Sequence, residues 1–286
     1  AGSVEMSFDG LAVEYSEYLA GLGMKKSTTA FYIKDAEGFF SWVRENTGAD
    51  KLETGREEIE AYTAYLRSLG MSPATEARCI SSLRRFFKWA CMRGYVYFDP
   101  TLGLKQPKLI KKQPEILTQS EILSILSAVD KKTPKGLRDR AMIELMFTTG
   151  ISVSELLGLK AEGVDTRKRQ ISVGDGRGRV LKVTGSALRS LKKYERIRNG
   201  TVEGGSEDVF FLSCQGRKMT RQGFWKLFKS YAVTAGIEKD VSPEALRHSF
   251  AVNAFLSGES AEEVRKKLGH ITKSPTLEYE SIASGK

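Results

Sequence analysis

The sequence predicts a mainly α protein in two domains, an N-terminal helical bundle followed by a C-terminal α+β domain with a small β-hairpin. Three observations carry this expectation. Apolar residues recur at helical spacing through the first hundred positions. A stretch with prolines and lysines but no periodicity follows them. Beyond it helical segments resume, interrupted at residues 170–184 by alternation of apolar and polar residues on both sides of a glycine-rich turn. At 286 residues, the chain is long enough to give each domain its own core.

Each element has a local reason. Leu11, Tyr15, Tyr18, Leu19 and Leu22 share one face of a helix predicted over residues 8–22, which Gly23 stops. Ser27 caps a second helix running to about residue 45, with Phe31, Ile33, Phe39, Phe40, Trp42 and Val43 as expected core. Residues 57–69 form a third, ended by Gly70, and Ser72-Pro73 opens a fourth through Trp89 to about residue 93. Four helices of this length make a compact bundle. Residues 99–114, DPTLGLKQPKLIKKQP, hold three prolines and read as an extended connection. The domains are accordingly drawn as 1–106 and 114–286, with 107–113 as linker.

In the second domain, Thr118 to Glu121 spells a capping box before an apolar helix at 122–129. Helices at 137–148 and 153–159 follow, separated by Gly150, then the hairpin. Its GDGRG turn lacks the lysine–serine ending of a phosphate-binding loop, so nucleotide binding is not expected. Further helices are predicted at 186–198 and 221–235, with a short apolar strand or buried segment at 209–212. Ser242-Pro243 reads as a cap and first turn for a helix carrying Leu246, Phe250, Ala254 and Phe255 on one face. Gly258 ends that helix, and 261–268 forms another with Gly269 at its end. Pro275 reads as a breaker before Tyr279.

Charge narrows the partner. The formal net charge is +10 and the isoelectric point about 9.4, which favours a polyanion, with nucleic acid first. The distribution says more: residues 1–66 hold six Lys/Arg against twelve Asp/Glu, and residues 67–113 hold ten against two. Clustered cations gain most from counterion release. On the fourth helix Arg78, Arg84, Arg85, Lys88 and Arg93 alternate with Leu83, Phe86, Phe87 and Trp89, so the apolar set should pack and the basic set face out. Arg78, Arg84, Arg85 and Lys88, with Lys108, Lys111 and Lys112 of the linker, are the expected nucleic-acid contacts, the alternative being a solvated basic face.

Cys79, Cys91 and Cys214 form neither a disulfide framework nor a metal-ligand pattern. Cys79 and Cys91 are expected as core thiols in a reducing compartment. No apolar run is long enough for a membrane span, no signal peptide is evident, and Ala1-Gly2-Ser3 reads as a cloning scar. The expected location is cytoplasmic and nucleoid-associated, with no cofactor and no metal.

The chemistry concentrates between Ser242 and Tyr279. Both histidines of the chain, His248 and His270, lie there with Arg247 and Tyr279. A tyrosine beside a basic cluster suggests a phenolate attacking phosphorus, with arginine and histidine supplying charge stabilisation and proton traffic. ALRHSFA, LGH and a tyrosine nine residues after that histidine resemble the C-terminal signature of tyrosine recombinases of the Xer and phage-integrase type. TTGISVSELLGL from Thr148 to Leu159 resembles the family's first catalytic box. The resemblance covers nearly the whole chain. It implies a SAM-like core-binding domain that grips duplex DNA, a catalytic domain that breaks and rejoins it through a 3′-phosphotyrosine, and a tetrameric synapse on a specific site, formed with itself or a related recombinase.

Carried over by position, the resemblance makes Arg247 the second arginine, His270 the later histidine and Tyr279 the nucleophile. Three positions depart. Ser152 stands where the family has its first arginine, Glu244 where it has His or Lys, and Asp175 nearest to its hairpin lysine. The arginines would hold the non-bridging oxygens of the scissile phosphate, and the lysine would protonate the leaving 5′ oxygen; neither serine nor an ionised aspartate does either. Arg177, Arg179 and Lys182 of the hairpin are possible substitutes, while Arg140 is expected in a structural ion pair. Two readings stand: a strand-exchange enzyme with an altered site, or a DNA-binding relative impaired or inactive in cleavage. The first is preferred because Arg247, His270 and Tyr279 remain in register. Only seven residues follow Tyr279, where the resemblance implies a further helix that docks on a neighbouring subunit. Either the chain is truncated or its assembly contacts differ.

Overall fold

A computed structural model describes residues 7–24, 26–48, 52–109, 113–174, 178–201 and 208–285. The chain divides into two compact units between Lys112 and Gln113. The first holds α1 (Phe8–Gly21), α2 (Lys26–Thr47), α3 (Arg56–Ser68) and α4 (Pro73–Arg93). Its core is aromatic: Phe8 stacks on Phe40 at 5.3 Å, and Phe86 meets Phe8, Tyr15 and Phe40 edge-on. Such pairs add about 0.5–1.5 kcal/mol each beyond their buried area. Ser72 caps α4 by accepting from the Thr75 N–H, Pro73 fits its first turn, and Gly94 at φ +76° closes it.

Two expected core residues are exposed. Phe31 is 57% exposed and lies beneath the Arg78 guanidinium, 5.4 Å from ring centre to Cζ. It precedes Ala36 by five residues, which takes it off the buried stripe of Ala36, Phe39, Phe40 and Val43. Leu22 is half exposed because α1 has already ended at Gly21. Trp42 and Ile33 are partly buried against the core. Cys79 is buried as expected, whereas Cys91 is only partly so and Cys214 is exposed.

The second unit contains α5 (Gln119–Ser127), α6 (Pro134–Thr149), α7 (Val153–Leu157), a 3-10 turn at Ala161–Gly163, β1 (Val164–Asp165), β2 (Gln170–Val173), β3 (Arg179–Lys182), α8 (Gly185–Thr201), α9 (Arg221–Thr234), α10 (Glu244–Leu256), α11 (Ala261–Leu268) and α12 (Ser274–Ala283). Helix α6 runs through the centre: Ala141, Met142, Ile143, Leu145 and Met146 are all fully buried, so apolar residues surround it on every side. Arg140 pairs with Glu144 at 2.7 Å, the structural ion pair expected of it. Among the described residues the sheet is three-stranded and antiparallel in the order β1-β2-β3, with Gln170 opposite Lys182 and Val173 opposite Arg179. The two-residue β1 is too short to show alternation. Val209 to Leu212 is a buried segment that makes single bridges to Lys160 and Lys218.

Pro275 does not break the chain before Tyr279. It sits in the first turn of α12, where a missing N–H costs nothing because that donor would have no partner within the helix. Tyr279 therefore projects from the middle of a helix. It packs with Ala251, Val252, Ala254, Val264 and Leu268 in a small second core made by α10, α11 and α12. Among the described residues, no helix is long and apolar enough to cross a membrane.

Candidate active site

Helix α10 places Arg247 and His248 side by side, and α12 brings Tyr279 against them. The Tyr279 hydroxyl is 2.7 Å from His248 Nδ1, with ring centres 5.5 Å apart and planes tilted by 38°. His270, just past the end of α11, also stacks on the phenol, at 6.4 Å and 22°. Its Nδ1 lies 2.9 Å from the hydroxyl of buried Thr276, which fixes the ring. Tyr279 is only 7% exposed, and burial raises its phenol pKa although Arg247 pulls the other way. Burial, reinforced by Arg247, Arg179 and Arg265, pushes His270 down to about 4, so its ring is neutral near pH 7.

Arg247 is anchored by backbone. It donates from Nη1 to the Gly150 carbonyl at 2.6 Å and from Nη2 to the Leu268 carbonyl at 2.8 Å. Gly150 itself sits at φ +66°, and a Cβ there would come within 2.3 Å of the Phe250 ring, so glycine is what lets this turn pack against α10. Burial and the adjacent Arg179 lower the Arg247 pKa from its usual value, while Glu155 opposes them.

Glu155 joins the arginines. Arg179, at the start of β3, donates to it in bidentate fashion at 2.5 and 3.1 Å and spends its Nε–H on the Lys267 carbonyl at 2.8 Å. Arg247 Nη1 is 3.8 Å from the same carboxylate. Burial alone would raise the Glu155 pKa; the Arg179 fork and the Ser152 N–H and hydroxyl outweigh it and bring it down to about 2. Gly269, at φ +71°, leaves the room that Arg179 occupies, since a Cβ there would lie 2.5 Å from its Nη1.

The positions singled out in sequence thus separate. Ser152 is the N-cap of α7, accepting from the Glu155 N–H and donating its hydroxyl to the Glu155 carboxylate at 2.8 Å. Of the possible substitutes, Arg179 reaches the neighbourhood of Arg247. Lys182 does not share that direction: it is exposed, on the opposite face of β3 from Arg179. Asp175 and Arg177 lie outside the described residues, as do Lys111 and Lys112. Glu244 pairs with Arg221 at 3.1 Å. On α4, Lys88 is exposed, Arg85 lies over the Tyr32 ring, Arg84 donates to the Leu104 carbonyl, and Arg78 donates to both Asp35 oxygens at 2.5 and 2.6 Å. Lys108 is exposed. Glu155 has no role that the sequence assigns and is visible there only as the third residue after a helix cap. His248 stands out in the sequence as one of the chain's two histidines in the window with Tyr279, but no family position is carried over to it.

The site thus joins a buried tyrosine, two imidazoles against its ring, an arginine acting on its phenol and a second arginine linked to the first through Glu155. Comparison with known proteins gives the family. The model of the phage integrase family matches residues 115–284, and that of the phage integrase N-terminal SAM-like domain matches residues 12–94. The tyrosine recombinase XerC of Roseiflexus castenholzii is 38% identical over 193 residues, covering 65% of this chain and 61% of the relative. The match thus spans less than two thirds of that protein's length. The tyrosine recombinase XerC of Herpetosiphon aurantiacus is 31% identical over 92% of this chain and 87% of its own. A lambda integrase dimer bound to a COC′ core site superposes with a TM-score of 0.72 at 19% identity, over 98% of this chain and 79% of that one, which speaks for the fold. The chain belongs to the phage integrase family, the tyrosine recombinases.

Proposed function

We propose that this protein is a site-specific DNA recombinase that cuts and rejoins duplex DNA through a 3′-phosphotyrosine on Tyr279. The observation that carries the reading is the enclosure of the Tyr279 phenol by His248 and His270, with the Arg247 guanidinium beside them. Tyr279 attacks phosphorus, and Arg247 and Arg179 supply positive charge for the non-bridging oxygens. Arg179, held by Glu155, takes over from the arginine that Ser152 replaces. One such charged donor is worth about 3–4 kcal/mol of transition-state stabilisation. His270 holds the phenol by its ring face. Bond energy is conserved in the phosphotyrosine, so the reaction draws on no nucleotide.

The exposed cations of the first unit, Lys88 and Lys108 among them, bind the phosphate backbone, and 107–113 serves as linker between the DNA-binding and catalytic domains. The partner is a specific duplex site, engaged by several copies of this chain or a related recombinase in a tetrameric synapse, in the cytoplasm on the nucleoid. The test is a nicked suicide duplex carrying the site this protein selects from random sequence. A covalent protein–DNA adduct that resists denaturant is the expected result. Binding without any adduct would leave a DNA-binding protein and overturn the enzymatic reading.

A further inference from the structure

We propose that the His248 imidazole is the general base that takes the phenolic proton of Tyr279, a role that Glu244 at the start of the same helix does not fill. The inference rests on Tyr279 being the nucleophile. A base must lie within about 2.6–3.2 Å of the proton's parent atom, and His248 Nδ1 is 2.7 Å from the Tyr279 oxygen. The competing groups are engaged with other partners. The Glu244 carboxylate is on Arg221, and His270 presents its ring face to the phenol while its Nδ1 is on Thr276. Residues 244 and 248 are one turn apart on α10 and share a face. The charged and titratable groups acting on the ring are Glu244 and Arg247 from α10 and Glu278 and Tyr279 from α12. Burial outweighs the two carboxylates and lowers the His248 pKa, so the resting imidazole is neutral and can accept.

In the step, the Tyr279 O–H bond breaks as an N–H bond forms at Nδ1. The phenolic oxygen bonds to phosphorus, and the bond from phosphorus to the 5′ oxygen breaks. The departing oxygen takes a proton from a water molecule, and the imidazolium returns its proton to the hydroxide left behind. Rejoining runs the same sequence in reverse.

The experiment compares His248→Ala and His248→Gln in two backgrounds: natural tyrosine at 279, and difluorotyrosine, whose phenol ionises without help in mildly alkaline buffer. The readout is the first-order rate of adduct formation on the selected nicked duplex, with DNA binding measured alongside as the report on folding. Loss of a general base is expected to slow the natural-tyrosine protein by about 10²–10⁴-fold, and the difluorotyrosine protein by less than about tenfold. The glutamine variant can hydrogen-bond the phenol but takes up no proton, so it should fall with the alanine variant, and it carries the test if the alanine variant does not bind DNA. Equal losses in both backgrounds, or full activity of the glutamine variant, would make His248 a packing residue and overturn the proposal alone. An unmutated protein that binds the duplex and forms no adduct would overturn the recombinase reading and this proposal together.

Discussion

Lys88 and Lys108 stand exposed on the first unit, whereas Arg179 and Arg247 in the second have side chains only 20% and 13% exposed. The lysines are hydrated point charges with freedom to follow an irregular backbone. The arginines have lost that freedom: Arg247 is tied to two carbonyls, and Arg179 to a carbonyl and a carboxylate. The difference separates affinity from rate. Exposed cations release counterions on binding and give affinity that salt erodes. Desolvated, pre-oriented guanidiniums add little to ground-state binding but act strongly on charge that develops between them. The two units can therefore be damaged independently.

The largest effect is expected from Tyr279→Phe, which removes the oxygen proposed to attack and should abolish the adduct in denaturing gels while DNA affinity stays within a few fold. Arg247→Ala or Arg179→Ala should each slow adduct formation by about 10²–10³-fold, again with little loss of binding. Adding Ser152→Arg sharpens this: on the proposal that Arg179 supplies the missing charge, it should do little in the unmutated protein and should recover rate in the Arg179→Ala background. Recovery in neither background would mean that Arg179 only props up Glu155.

Reversing Arg84, Arg85 and Lys88 to Glu should do the opposite. Affinity should fall, and the slope of log affinity against log salt should flatten by about 0.9 for each phosphate that is no longer neutralised. The rate at saturating protein should hold. A changed rate at saturation would show that the two units are not separable in this way.

The smallest effect concerns acid stability. With its folded pKa at about 4 against an ordinary value of about 6.5, the His270 ring binds fewer protons in the folded than in the unfolded state. Stability should fall as pH drops through that window. Glu155 then adds its own loss as pH drops from about 4.5 towards 2, on the order of 2 kcal/mol after allowance for its partial exposure. His270→Asn should flatten the upper part of a stability-versus-pH curve and Glu155→Gln the lower part, both measurable by urea denaturation.

The helices are legible in the sequence because their signals are local. The Ser72 and Thr118 caps, and the glycines after α4 and α11, act within one turn of the residues they govern. Residues 261–268 are bounded correctly for that reason. Pro275 misleads because a proline ends one helix or starts another according to the residues on its C-terminal side. Phe31 misleads because an aromatic next to a stripe looks like part of it until helical phase is counted over several turns. The site is half legible. Arg247, His270 and Tyr279 stand out in one window of sequence, but the link from Arg179 to Glu155 joins residues 24 positions apart, and that from Arg179 to Lys267 joins residues 88 apart. No pattern of spacing encodes such a contact; it arises when β3, α7 and α11 pack in the second unit.

Glu155 has a consequence for what can enter the site. Its carboxylate rests where two guanidiniums converge, so an arriving anion competes with one tethered to the same fold. A tethered group acts at an effective concentration far above that of free solutes, typically millimolar or more for short flexible links and higher for a fixed one. Inorganic phosphate or a mononucleotide, held by nothing else, gains little from displacing it. A phosphate within a duplex arrives with many backbone contacts already made elsewhere, and those contacts supply the local concentration that a free ion lacks. On the proposed reading, in which Arg179 and Arg247 receive the scissile phosphate, the internal carboxylate sets a threshold that favours a docked polymer over free small anions.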